Sequence, residues 1–270
     1  MKRSAAMLSA FALAAIGGPL KVQAQPSTSY DLAIADLVMA NHILAYTGVL
    51  DAFGHVSIRD PGNREHFIMS RDLAPAQVAA DDLITYDFDG NALDKLMLHG
   101  HSERFIHAEV YRARQDVGSV VHSHSPGVIP FGMGSAALQA VYHMNGFAHG
   151  VPVFDIRKSF GDGTNMLINN AKRGKSLVQS LGNSPVVLMR GHGDTVVASE
   201  IRRATARAVY TEIGARIQAQ AIGIAAGRPL EYLSPAEGDA FEGNGDKTEG
   251  TDRSWNMWVA ALQQSSSESR

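Results

Sequence analysis

The chain has 270 residues, 45% of them hydrophobic and 19% charged, with a formal net charge of -3. That is enough for one sizeable globular domain of ordinary composition. The near-neutral balance, with no basic block, argues against nucleic acid as a partner. The lack of cysteine excludes disulfides and thiolate metal ligands.

Met1-Lys2-Arg3 is a short basic start, Ser4 to Ile16 an apolar run, and Val22-Gln23-Ala24 a small-x-small cleavage site. Residues 1–24 are therefore predicted to be a secretory signal peptide, leaving Gln25 as the new N-terminus. The mature protein is then periplasmic or secreted, or cytoplasmic if the signal is not read. The segment carries three basic and no acidic residues, so its removal takes the net charge to -6. No later run is long and apolar enough to span a bilayer.

Residues 25–228 are expected to form the folded domain, and residues 229–270 a partly disordered extension. Pro26 to Tyr30 reads as a loose lead-in. Asp31 to Thr47 has helical spacing, with Gly48 beyond its C-terminus. Val56–Arg59 and His66–Met69 flank a Pro61-Gly62-Asn63 turn as two strands. Asp81 to Leu93 reads as a second pair around Asp89-Gly90-Asn91. Ser102 is the expected N-cap of a helix from Glu103 to Arg114. Val117 to Ser123 is a strand, with shorter ones at Gln139–Met144 and Val151–Phe154. Asn169 to Leu181 is a helix closed by Gly182, and Pro185 to Met189 a strand. Ser199 is the expected cap of a long helix from Glu200 to Ala226, whose stripe of Ala204, Ala208, Ala215 and Ala219 suits close packing. After Pro229 the chain turns polar. Trp255 and Trp258 are expected to dock a short terminal helix on a neighbouring subunit, with residues 265–270 disordered.

The chemistry concentrates at Glu103 and at two strand ends. His122 and His124 are two apart, so on a strand their side chains share a face. His192 follows another apolar strand, inside Gly191-His192-Gly193, where the glycines leave the backbone free of bulk for a ligand to approach. Three imidazoles and one carboxylate suit zinc, manganese, iron or cobalt without choosing among them.

The order Glu-x-x-x-His on a helix, then VVHSHSP, then a strand followed by RGHG, resembles the class II aldolase/adducin family, over about Asp31 to Gly227. The resemblance implies a three-layer α/β/α sandwich with a largely antiparallel central sheet, and one divalent metal per subunit held by Glu103, His122, His124 and His192. It also implies a homotetramer with sites at subunit boundaries. The sugar-phosphate aldolases of that family cradle phosphate with a Gly-Asn-x-Ser turn, a Thr-Gly loop and a Ser-Ser pair. Here those segments read Gly54-His55-Val56-Ser57, Met69-Ser70-Arg71-Asp72 and His99-Gly100-His101-Ser102-Glu103. Small phosphate-binding groups give way to His55, His101 and Arg71, which suit a carboxylate. The chain looks more like the branch that decarboxylates hydroxylated aromatic, heteroaromatic or muconate-type acids, and RFIHAEVYRAR, VYHMNGF and YLSPAE agree with it.

The leading expectation is a metal-dependent carbon–carbon lyase, most simply a decarboxylase acting on a small carboxylate. Glu103, His55, His101 and Tyr210 are the candidate acids, and Arg71, Ser57 and His143 the candidate substrate contacts. His42, His66, His107 and His149 are expected to be structural or exposed. An aldolase or epimerase acting on a hydroxy-carbonyl compound could use the same site. A non-catalytic, adducin-like binding module is the third reading.

Overall fold

The structure is a computed structural model and describes residues 28–245 and 248–268; the predicted signal segment lies outside the described residues. In chain order the elements are α1 (Ser29–Tyr46), β1 (His55–Arg59), β2 (His66–Ser70), β3 (Leu83–Asp87), α2 (Arg104–Ala113), β4 (Ser119–Ser123), α3 (Ile129–Met133), β5 (Val153–Phe154), α4 (Arg157–Phe160), α5 (Ala171–Leu181), β6 (Val186–Met189), β7 (Gly193–Ala198), α6 (Ile201–Ala225), α7 (Pro235–Gly245) and α8 (Thr248–Glu268). The strands form one seven-stranded sheet in the order β3-β2-β1-β4-β7-β6-β5. Every neighbouring pair is antiparallel except β5 with β6.

Two apolar clusters lie on opposite faces of this sheet. Leu37, Ile43 and Leu44 of α1, Ala204 and Ala208 of α6, and Trp255 and Trp258 of α8 pack on one face with Val121. Ile106, Val110 and Tyr111 of α2, and Leu177 and Leu181 of α5, pack on the other with Val120. The result is the expected three-layer α/β/α sandwich around a mostly antiparallel sheet. Side chains alternate along β4, so His122 points to the same side as Val120, toward α2. Among the described residues no helix is long and apolar enough to cross a membrane.

The helix ends follow from local chemistry. Thr28 and Asp31 form a reciprocal capping box, so Ser29 and Tyr30, expected to be loose, already belong to α1. At the far end Gly48 takes a positive φ of 72°, the left-handed stop that glycine allows most cheaply. Glu200, not Ser199, caps α6, its carboxylate accepting from the Arg202 and Arg203 amides. Likewise Glu103, not Ser102, is the N-cap residue of α2, and its side chain makes no capping bond; it is turned elsewhere.

Other sequence expectations fail for identifiable reasons. The second hairpin reduces to β3 and one bridge between Tyr86 and Ala92. Asp94 takes the Thr85 amide at 2.8 Å and Asp87 takes those of Asp89 and Asn91, so side chains replace a second strand. Gln139–Met144 is no strand either: Asn145 Oδ1 accepts the amides of Val141 and Tyr142 at 3.0 and 3.1 Å and winds the chain into a 3-10 turn. β7 was not anticipated. Of the alanine stripe, Ala204, Ala208 and Ala215 are buried and Ala219 is exposed.

The tail is the largest difference. Residues after Pro235 form α7 and α8, and Ser265 lies within the 21-residue α8 rather than in a disordered end. Trp255 and Trp258 dock on their own chain. Arg202 lies over the Trp255 ring at 5.2 Å and bridges Asp36 and Asp252. Trp258 packs on Tyr210, whose hydroxyl bonds Ser254 at 2.9 Å.

Candidate metal centre and active site

Three segments distant in sequence meet at one rim of the sheet. The start of α2 brings Glu103, the end of β4 brings His122 and His124, and the tight β6–β7 turn brings His192. One donor atom from each of the four lies within 4.8 Å of every other. The turn depends on Gly191, with φ at 63°. Gly193 has a different role from the one expected of it. It does not clear space for a ligand: a Cβ there would lie 1.8 Å from the Ser123 carbonyl oxygen, so it is what lets β4 and β7 close on each other at the site.

The ring orientations are set from behind. His122 Nδ1 donates to the Asp194 carbonyl at 2.8 Å, and His124 Nδ1 meets the Asp51 carboxylate at 3.1 Å. Both bonds leave Nε2 as the inward atom, the usual arrangement behind a ligating imidazole. His124 Nε2 and His192 Nε2 stand 3.1 Å apart. Glu103 Oε2 is 3.7 Å from His122 Nε2 and 3.5 Å from His192 Nε2, while its Oε1 accepts the Ile168 amide at 2.7 Å.

Buried His122 Nε2 has no hydrogen-bond partner, an unusual state for a buried polar atom and one that a cation would satisfy. Burial pushes the His122 pKa down to about 3 against the pull of Glu103. Burial would raise Glu103, but His192, His122 and the Ile168 amide outweigh it and hold the carboxyl at about 2. At neutral pH Glu103 is thus a carboxylate and His122 a neutral imidazole, the protonation states in which such groups bind metal. The residues fit a divalent first-row metal ion.

Glu103, His124 and His192 line a cleft of about 390 Å³, shared with Phe53, His55, Asp72, His101, Ser102 and Leu167. Among the described residues this lining contains no lysine or arginine. His55 and His101 stand side by side, ring centroids 4.6 Å apart. Both ring nitrogens of His101 are occupied, Nε2 by Ser70 at 3.3 Å and Nδ1 by Asp72 at 3.5 Å. Among the described residues His55 is engaged only at Nδ1, by His107.

The other predicted contacts do not reach the cleft within one chain. Arg71 is tied to Asp82 at 2.7 Å. Ser57 is fully buried behind His107. Tyr210 is held by Ser254 and Trp258 in the α6–α8 layer, and His143 is exposed in the 3-10 turn. The residues that sequence reading missed are Asp51, Asp72, Asp194, Glu212 and the role of His107. For Asp51 a signal existed, since Asp-x-Phe-Gly is a turn pattern, and its carboxylate does accept the Phe53 and Gly54 amides.

Two buried carboxylates hold the His-x-His loop from the opposite face. Ser123 donates to Asp194 at 2.5 Å. Glu212 of α6 takes the Ser125 hydroxyl and the Gly127 amide. Burial pushes Asp194 from 3.8 up to about 7, with the Ser123 bond opposing and the Glu212 charge adding. A carboxyl raised on folding contributes stability that is fully present below pH 3.8 and is lost as pH rises through about 7. Asp194→Asn, in metal-free protein, should match the parent in urea midpoint near pH 4 and exceed it at pH 8. A variant–parent difference independent of pH would refute this.

The sequence pattern of the Class II Aldolase and Adducin N-terminal domain matches residues 35–219. The chain belongs to the class II aldolase/adducin family. Within it, the protein is 34% identical over 252 residues to the decarboxylase tropJ of Talaromyces stipitatus, covering 86% of this chain and 94% of that one. It is 28% identical over 200 residues to a 3,4-dihydroxyphthalate decarboxylase of Arthrobacter keyseri, covering 68% and 76%. The crystal structure of an aldolase II superfamily protein from Pseudomonas syringae superposes with a TM-score of 0.73 at 22% identity, covering 89% of this chain and 96% of that one. The sandwich and its helical layers are thus the family fold.

Proposed function

We propose that the protein is a divalent-metal-dependent decarboxylase acting on a small hydroxylated carboxylic acid, aromatic or enol-type. The observation that carries this reading is the cleft itself. Four metal-type donors converge on a wall whose remaining polar groups are two imidazoles, a serine and the Asp72 carboxylate, itself paired with His101, where a phosphate cradle would stand in a sugar-phosphate aldolase. The relatives named as decarboxylases support the same choice.

A divalent ion held by Glu103, His122, His124 and His192 would supply a Lewis acid that draws off charge developing on a substrate oxygen. Moving the hydroxyl proton to the carboxyl-bearing carbon makes the neighbouring carbon a carbonyl; breaking the bond to the carboxyl group then releases CO2 and leaves the electron pair on that oxygen as an enolate or phenolate, which takes up a proton from solvent. Phe53 and Leu167 provide apolar cleft walls suited to a planar ring. His55 and Ser102 present polar groups to its oxygens. Glu103 has one oxygen bound by Ile168 and the other turned toward the histidines, which suits ligation better than free proton transfer.

The test is CO2 release from a panel of hydroxybenzoates, dihydroxybenzoates and dihydroxyphthalates by zinc- and manganese-loaded protein. Release that chelation abolishes and metal restores supports the reading. Inactivity on that panel, with cleavage of a hydroxy-carbonyl compound instead, would replace it with the aldolase alternative. The reading also carries a homotetramer and export from the cytoplasm, tested by light scattering and by N-terminal sequencing of the mature protein.

A further inference from the structure

Behind the cleft wall a file of four polar side chains runs into the core. His55 Nδ1 lies 2.7 Å from His107 Nε2. His107 Nδ1 lies 2.6 Å from Ser57 Oγ, and Ser57 Oγ lies 2.8 Å from the Tyr111 hydroxyl. Ser57, His107 and Tyr111 are all 0% exposed, and His55 only 2%. No water can take the place of a partner along a file this closely bonded and buried, so its hydrogen-bond polarity follows from counting protons.

The Tyr111 oxygen receives the Val120 backbone amide, which can only donate, so its one hydroxyl proton has Ser57 Oγ as its partner. A buried hydroxyl proton goes to an acceptor, so Tyr111 donates and Ser57 accepts. The Ser57 proton then has one destination, the lone pair on His107 Nδ1. A neutral histidine with a bare Nδ1 carries its proton on Nε2, so His107 donates to His55 Nδ1. His55, bare at Nδ1, carries its proton on Nε2. That atom is not a buried, unpartnered one and has no bonding partner among the described residues, so it opens into the cleft that His55 lines.

We propose that His55 is the cleft's oxygen anchor: a neutral imidazole that presents Nε2–H to a carboxylate or oxyanion oxygen of the substrate, its tautomer set from the core by Tyr111, Ser57 and His107. The inference rests on the decarboxylase reading for the identity of the oxygen, and on the hydrogen-bond file for the rest. It also accounts for how a cleft lined by no lysine or arginine receives an anion. A fixed N–H dipole stabilises oxygen-centred charge without a counter-charge that would over-stabilise the ground state. The wall therefore selects ligands that place an acceptor oxygen beside the metal donors and disfavours those that place a donor there. Ser57 and His107 are positioning residues, acting through His55.

The test uses zinc-loaded full-length mature protein labelled with 15N-histidine. NMR reads which nitrogen of His55 carries the proton. The parent should show one tautomer, Nε2–H. Ser57→Ala removes the donor that fixes His107, so His55 should become a mixture of tautomers. Tyr111→Phe leaves Ser57 with no acceptor but His107, so the Nε2–H form should persist. A parent with Nδ1–H or a doubly protonated ring overturns the proposal without need of any variant, and so does Ser57→Ala with an unchanged tautomer. In a second arm salicylate, an aromatic carboxylate with a neighbouring hydroxyl, is titrated into parent and His55→Phe. Binding at least about tenfold weaker in the variant is expected for loss of a hydrogen bond to a charged group; equal affinity overturns the anchor. Neither arm measures CO2 release. A failed decarboxylase reading would thus leave both results standing, and an active decarboxylase with the wrong His55 tautomer would sink only this proposal.

Discussion

His122→Ala should bind zinc or manganese at least about 100-fold more weakly than the parent, the upper end of what even outer-shell changes cost at metal sites. His122 is the deepest of the four donors, 0% exposed, with Nε2 unpartnered among Glu103, His124 and His192. Its ring cannot be replaced by a neighbour, because the Asp194 carbonyl fixes its direction from a central strand. The measurement is metal content after dialysis, with isothermal titration for affinity. Any metal-dependent activity should fall with occupancy. The variant removes the His122 bond to the Asp194 carbonyl, at a cost of about 1–3 kcal/mol in stability, so circular dichroism should still report a folded protein. Unchanged metal affinity in a folded His122→Ala protein would remove the four-donor site from consideration and the lyase reading with it.

Gly193→Ala should be among the most damaging single-methyl additions in the chain, costing about 3 kcal/mol or more. The added Cβ would meet Ser123 O at 1.8 Å, Ser123 C at 2.8 Å and His124 Cα at 3.0 Å. All three are backbone atoms, so no side-chain rotation relieves the contact. The strands must part where Ser123 pairs with Asp194, which moves His124 and His192 relative to each other. Loss of metal affinity should therefore accompany the drop in urea midpoint. A loss below about 1 kcal/mol with normal metal affinity would show that the rim can yield.

The residues that the sequence made legible are those whose signal is local. The His-x-His spacing on an apolar strand, the acid at a helix start and the Gly-His-Gly after a strand all declare themselves within a few positions. α1, α5 and α6 carry both periodicity and end signals. β7 was missed because it opens on Gly193 followed by Asp194 and Thr195, polar residues whose partners Ser123 and Met189 lie on the neighbouring strands. α8 was misjudged because its polar composition hides two tryptophans whose partners, Arg202 and Tyr210, sit on a helix some fifty residues earlier in the chain. Arg71 reads as a free guanidinium until Asp82, eleven residues on, is seen to hold it. The His55–His107 contact spans 52 residues, beyond any periodicity. Function-bearing types were visible, then, while the partners that commit or release them were set by tertiary contact.

The separation of the donors along the chain also orders events in time. His124 and His192 are 68 residues apart, and they meet only when β7 has joined β4 in the middle of the sheet. Pairing at that separation carries a large loop-closure cost and forms slowly. Capture of an ion by all four donors would therefore wait for the central strands, since an unfolded chain holds at most the local His122–His124 pair. An ion that favours the assembled state would add to the stability of that state by mass action. A nascent chain that has not yet extended past β7 lacks the assembled four-donor set, so its sheet is complete before the proposed site is.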